Sequence, residues 1–309
     1  MFAVPRKITT ITLLIASLLL PSLAQAVATD ACFNFLNAQD YVRAESEAKQ
    51  LLQKSNLDRT EERAAQLCLG RAYDSMGRAT DALPAFQRVE ALSQTTEELA
   101  IAYNCLGSTY SSLNDLDRAE LYNQRALKAA RELGDKQKVA ASLNNLALIA
   151  DERGDSERAL TLYRESLAMK LEAEQPATLN NIALIHSRRK EYKQAITLYR
   201  QAIEINRRNG DAHGSSILQI NLGDTLRKDK QYAAAEKELL AGLNAIRLVG
   251  DKGWEALACQ ALGWLAVTDG NPRKDVGEAR QWLEKAEALY REIGNTTSAD
   301  EIANLLAGK

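Results

Sequence analysis

The chain has 309 residues, a formal net charge of −2, 26% charged residues and only five prolines. Slight acidity speaks against nonspecific duplex binding, which needs clustered Lys and Arg, so no nucleic-acid partner is expected. Abundant Ala, Leu, Glu, Arg and Gln with few β-branched runs speak against a sheet protein and point to helices.

In chain order, Arg6 and Lys7 come first and precede the apolar run Ile11 to Leu20. Pro21 breaks that run, and Ala24-Gln25-Ala26 supplies a small-x-small cleavage site. The run is shorter than the roughly 20 residues that span a bilayer. Residues 1–26 therefore read as a signal peptide cleaved after Ala26. The mature chain is expected to be periplasmic or secreted, with no membrane insertion after cleavage.

Residues 27–62 read as a divergent first unit, with Cys32, Ala44 and Ala48 at small-residue positions and a turn at Asn37 to Asp40. From 63 to 296 six units can be laid on one another by Gly70, Gly107, Ala147, Ala183, Gly223 and Gly263, spaced 36 to 40 residues apart. An aliphatic residue always precedes this small one (Leu69, Leu106, Leu146, Ile182, Leu222, Leu262). Twelve residues beyond it stands Ala82, Ala119, Ala159, Ala195 or Ala235, and Asn271 to Lys274 lengthens the last turn so that Ala279 comes four later. A small residue is expected where two helices cross closely. Gly77, Asn114, Gly154 and Gly270 mark the turn inside a unit. Gly134-Asp135, Gly210-Asp211, Gly250-Asp251 and Gly294-Asn295 mark its end, Gly stopping one helix and Asp or Asn capping the next. Residues 297–309 carry Ile302, Leu305 and Leu306 on one face and read as a terminal helix covering the end of the stack.

This pattern resembles the tetratricopeptide repeat, over nearly the whole mature chain. The first aromatic of the family pattern is mostly replaced (Gln66, Tyr103, Leu143, Leu179, Gln219, Cys259) and its closing Pro is absent. Units of about 40 residues with Asn before Leu-Gly look like the version found in kinesin light chain and spindle-orientation adaptors. The resemblance implies an all-α, right-handed solenoid of about seven helix pairs with a C-terminal capping helix. First helices would line a trough that binds an extended segment of a partner, as an adaptor, assembly factor or chaperone.

In the family, the two residues before the Leu-Gly or Leu-Ala pair point into or beside that trough. Six Asn gather there: Asn104, Asn144, Asn145, Asn180, Asn181 and Asn221. A carboxamide offers a donor and an acceptor together and so complements a peptide bond. The competing reading is that these side chains bond between adjacent helices and hold the stack in register. One turn further on, Arg71, Trp264 and the basic trio Arg188, Arg227 and Lys228 could select the partner, the trio by clamping a carboxylate. Ordinary solvated surface charge is the alternative for the trio, and packing on the neighbouring unit the alternative for Trp264.

Cys32 and Cys68 fall on leading helices of adjacent units and could form a disulfide, against the alternative of four buried free thiols; Cys105 and Cys259 lie four units apart. No cysteine spacing matches a zinc site. The two histidines, His186 and His213, have no Cys or Ser partner in a recognisable arrangement, and no phosphate-cradling Gly loop occurs. Neither an enzyme nor a cofactor or metal is expected. The alternatives to a peptide-binding scaffold are a self-associating structural solenoid and, less favoured, an enzyme or small-ligand sensor.

Overall fold

The computed structural model describes residues 30–307, and the leader expected at 1–26 lies outside them. The described chain is all helical and resolves into two compact units, one ending at Met169 and the other beginning at Lys170. Unit 1 contains α1 (Asp30–Asn37), α2 (Tyr41–Leu52), α3 (Arg59–Ser75), α4 (Ala79–Leu92), α5 (Thr96–Ser112), α6 (Leu116–Glu132), α7 (Lys136–Glu152) and α8 (Ser156–Met169). Unit 2 opens with a 3-10 turn at Glu172–Glu174. It continues with α9 (Pro176–Arg188), α10 (Tyr192–Arg208), α11 (Ala212–Lys228), α12 (Tyr232–Val249), α13 (Lys252–Val267), α14 (Val276–Glu292) and α15 (Thr296–Leu306). That is seven helix pairs and a final single helix, a solenoid of the expected type.

Most of the described helices start at a capping side chain, while α4, α9, α10 and α12 have none. Asp58 with Glu61 and Thr95 with Glu98 form reciprocal capping boxes ahead of α3 and α5. Asp135, Asp211, Asp251 and Asn295 accept a backbone N–H of the following helix, as their place after Gly foretold. Gly134, Gly210, Gly250 and Gly294 all have φ between 67° and 78°, left-handed backbone that a Cβ would strain. Inside the pairs the same conformation falls on Gly77, Asn114, Gly154 and Gly270. It also falls on Gln39, within the turn expected at Asn37 to Asp40, and on Lys190 and Lys230, which no sequence signal marks.

The two helices of a pair meet at the small residue. A Cβ placed on Gly70 would lie 2.6 Å from the Phe86 ring, on Gly107 2.3 Å from Asn123 Nδ2, on Gly223 2.5 Å from Leu239 and on Gly263 2.7 Å from Leu283. Ala82, Ala119, Ala159, Ala195, Ala235 and Ala279 are all at most 2% exposed, so both helices offer small side chains to the crossing. Where Ala147 and Ala183 replace Gly, the facing residues are Tyr163 and Tyr199, both fully buried.

Among non-consecutive α-helices, the close approaches within each unit are between leading helices: α1 with α3 and α5 with α7, then α9 with α11 and α11 with α13. Trailing helices therefore splay, and the leading-helix side of each unit is its concave side. At the end of unit 2, α15 buries Ser298, Ala299 and Ile302 against α14.

Candidate functional site

The concave side of unit 2 carries a relay of carboxamides. Asn221 Nδ2 on α11 donates to Asn180 Oδ1 on α9 at 2.9 Å, and Asn180 Nδ2 donates to Asn181 Oδ1 at 3.3 Å. All three are half-buried, so each is held by a neighbour and still reaches solvent. Within the relay Asn181 keeps its Nδ2 donor and Asn221 its Oδ1 acceptor, the two functions that a peptide group seeks.

The basic trio does not form an open clamp. Asp224, one turn before Arg227 and Lys228 on α11, accepts from Arg227 Nη2 at 2.7 Å and from Lys228 Nζ at 2.7 Å. Burial raises the Asp224 carboxyl, but the charges and hydrogen bonds of Lys228 and Arg227 outweigh it and hold it below the usual carboxylate range. The i, i+3 and i+4 spacing that gathers the cations also seats their counter-ion, leaving little free charge for a ligand carboxylate. Arg227 further lies over the Trp264 ring, 5.7 Å from its centroid, and reaches Thr268 Oγ1 at 3.4 Å. Trp264 thus packs on the neighbouring leading helix and remains half-buried. Arg188, at the end of α9, is exposed.

Unit 1 is built differently. Asn145 is 7% exposed and its Nδ2 donates to Asn123 Oδ1 at 3.1 Å, while Asn123 Nδ2 donates to the Ala119 carbonyl at 2.8 Å. Asn145 is therefore a buried tie between α7 and α6, the register role rather than a groove contact. Asn123 escaped the sequence reading because it stands where the other pairs bury Phe86, Tyr163, Tyr199, Leu239 and Leu283. A polar residue at that apolar position was the available signal. Asn104 and Asn144 are half-buried on the concave side. Arg71 on α3 is half-buried too, and its Nε is enclosed without a hydrogen-bond partner.

A disulfide joins Cys32 on α1 to Cys68 on α3, with Cα atoms 6.4 Å apart. Cys105 and Cys259 are buried free thiols. Burial raises both, Cys259 to about 11, so neither is poised as a nucleophile. His186 Nδ1 contacts Glu191, and His213 Nε2 lies 3.1 Å from Asp251. Among the described residues no group of three or more His, Cys, Asp and Glu is arranged to hold a metal, and no helix is long and apolar enough to cross a membrane.

The profile of the tetratricopeptide repeat family matches residues 98–172 and 174–248. No curated protein matches the chain by sequence. Several solved structures share the fold. The apo quorum sensor NprR from B. thuringiensis superposes with a TM-score of 0.75 at 17% identity, over 91% of this chain and 80% of its own. A Rap protein complexed with competence and sporulation factor gives 0.64 at 13% identity, over 92% and 96% of the two chains. The Rap conjugation gene regulator of plasmid pLS20, in complex with the Phr* peptide, gives 0.58 at 18%, over 87% and 74%.

Proposed function

This chain belongs to the tetratricopeptide repeat family, and from that premise we propose that it is a scaffold binding an extended segment of a partner protein along its leading helices. The observation that carries the reading is the relay Asn221–Asn180–Asn181 on the concave side of unit 2. Carboxamides that only held the stack would be buried and paired, as Asn145 is. These are half-buried, oriented by one another, and keep a donor and an acceptor for a main chain lying across them. Two solved structures of the same fold, the Rap regulator with the Phr* peptide and the Rap protein with competence and sporulation factor, bind partners. A carboxamide relay recognises backbone rather than side chains, which suits an adaptor, assembly factor or chaperone.

We further propose that the mature chain works outside the cytoplasm, released by cleavage after Ala26. The leader composition and the Cys32–Cys68 disulfide support an oxidising compartment. Sequencing the N-terminus of protein recovered from the host should give Val27 first, and Met1 would overturn the export reading.

The binding reading is tested by selecting random, unstructured 12-residue peptides by mRNA display on the immobilised mature protein. The winners are then measured by calorimetry against wild type and the double variant Asn181→Ala/Asn221→Ala. Removing two hydrogen-bonding groups should weaken binding about tenfold or more, at roughly 1 kcal/mol per bond, with the melting temperature close to wild type. Recovering no peptide, or equal affinity for the double variant, would defeat the reading.

A further inference from the structure

The outward face of α12 departs from that of the other trailing helices. Its solvent side is the row Ala233, Lys237, Leu240, Asn244 and Leu248, spaced by three or four residues and so aligned in one stripe. The opposite side, with Ala235, Leu239, Leu243 and Ile246, is buried. Counted from the crossing alanine of each pair, Leu240 corresponds to Gln124 on α6, Arg164 on α8, Arg200 on α10 and Glu284 on α14. Leu248 corresponds in the same way to Glu132, Arg208 and Glu292. Among these helices only α12 puts leucine at both places, where Leu240 is 36% and Leu248 90% exposed. Single exposed leucines are ordinary. Two on one stripe, where the sister helices carry polar or charged groups, mark a surface that another apolar surface covers.

The stripe complements a second copy of itself. With two α12 helices antiparallel and centred on Asn244, Leu240 of each lies against Leu248 of the other. The two Asn244 carboxamides then face one another and can exchange a pair of N–H···O bonds, a polar contact that fixes register and direction. Charge complements this arrangement. Lys237 of each copy comes to the C-terminal end of the other's α12, where the helix dipole is negative and the Asp251 carboxylate stands. Glu236 comes beside Lys252 of the second copy. Within one chain Asp251 receives the Trp254 N–H and faces His213, Glu236 pairs with Arg273, and Lys252 with Glu292, so the new contacts extend existing networks. Arg247, at the edge of the stripe, is held by Glu255. A parallel pairing would instead set Lys237 against Lys237.

We propose that α12 is a homodimerisation helix, two copies of this chain pairing antiparallel through Leu240, Asn244 and Leu248. A single helix pair buries less than the roughly 1,200 Å² at which stable interfaces begin, so the dimer is weak and concentration-dependent. The proposal uses no group of the concave side and does not depend on the peptide-binding reading.

Sedimentation velocity of the mature protein from about 1 µM to about 500 µM should show monomer passing to dimer. Leu248→Glu should weaken association about tenfold or more, with an unchanged melting curve at low concentration because the site is exposed in the monomer. Mild oxidation of Asn244→Cys should give a disulfide-linked dimer. Lys237→Cys should not, since antiparallel pairing holds the two 237 positions about 20 Å apart. Wild type, whose free cysteines are both buried, is the control for these reactions. Monomer throughout the concentration range, association equal in L248E and wild type, or cross-linking of Lys237→Cys but not of Asn244→Cys would overturn the assignment. Peptide affinity should be the same for L248E and wild type, so this proposal and the peptide-binding reading fail separately.

Discussion

A single methyl group is enough to test how closely the two helices of a pair meet. A Cβ at residue 107 would sit 2.3 Å from Asn123 Nδ2, and Asn123 is itself buried and bonded on both sides. Gly107→Ala should therefore lower unfolding free energy by about 1–3 kcal/mol, the usual cost of overpacking, read as a shift of the urea midpoint. Asn145→Ala should cost a comparable amount, about 1–3 kcal/mol, because it strips a buried carbonyl oxygen on Asn123 of its donor. Asn145 had looked like the other five asparagines in sequence, and the neighbour that captures it lies 22 residues away on another helix. Asp74 gives a pH signature of opposite sign. Its pKa is raised by burial, so the folded chain loses relative stability as pH rises past the unfolded value of about 4. Asp74→Asn should melt higher than wild type at pH 7, and the gap should close near pH ~3.

At the scale of helices and turns, the repeat grammar was legible because capping is local chemistry. Asp135, Asp211, Asp251 and Asn295 cap the helices they precede, and the Gly before each adopts positive φ. What the sequence hid were turns of the same shape built from the wrong residue. Lys190 and Lys230 have φ of 62° and 63°, held by a turn geometry that the neighbouring helices impose. Lys190→Gly and Lys230→Gly should each stabilise unit 2 by about 0.5–1 kcal/mol, relief of left-handed strain exceeding the added entropy of the unfolded chain. A chemical denaturation series would check this, and a loss of stability would count against it. For α15, the buried Ala299 and Ile302 are its anchors. Deleting 297–309 should lower the melting temperature and promote aggregation, since the apolar side of α14 would meet water.

At the scale of the whole chain, the disulfide and the division into two units matter most. Cys32–Cys68 closes a stretch with a sequence separation of 36, ties the first pair to α3, and constrains the unfolded ensemble by about 4 kcal/mol in the chain-entropy account. Urea unfolding with and without a reducing agent should show α1 and α2 losing order first when the bridge is cut. The sequence read as one uninterrupted array, whereas the chain forms two compact units. At that boundary Pro176 rather than a Gly-Asp pair opens the next helix.

By itself, the sequence determined the all-α class, the seven pairs, their small-residue crossings and most of their caps, because these depend on periodicity and on contacts a few residues apart. Only tertiary structure decided which polar side chains reach solvent. It buried Asn145 against Asn123, seated Asp224 between Arg227 and Lys228, and enclosed the Arg71 Nε without an acceptor. A side chain's freedom to bind is set by what the neighbouring helix brings within about 3 Å of it, and that neighbour lies too far along the chain for any local pattern to name.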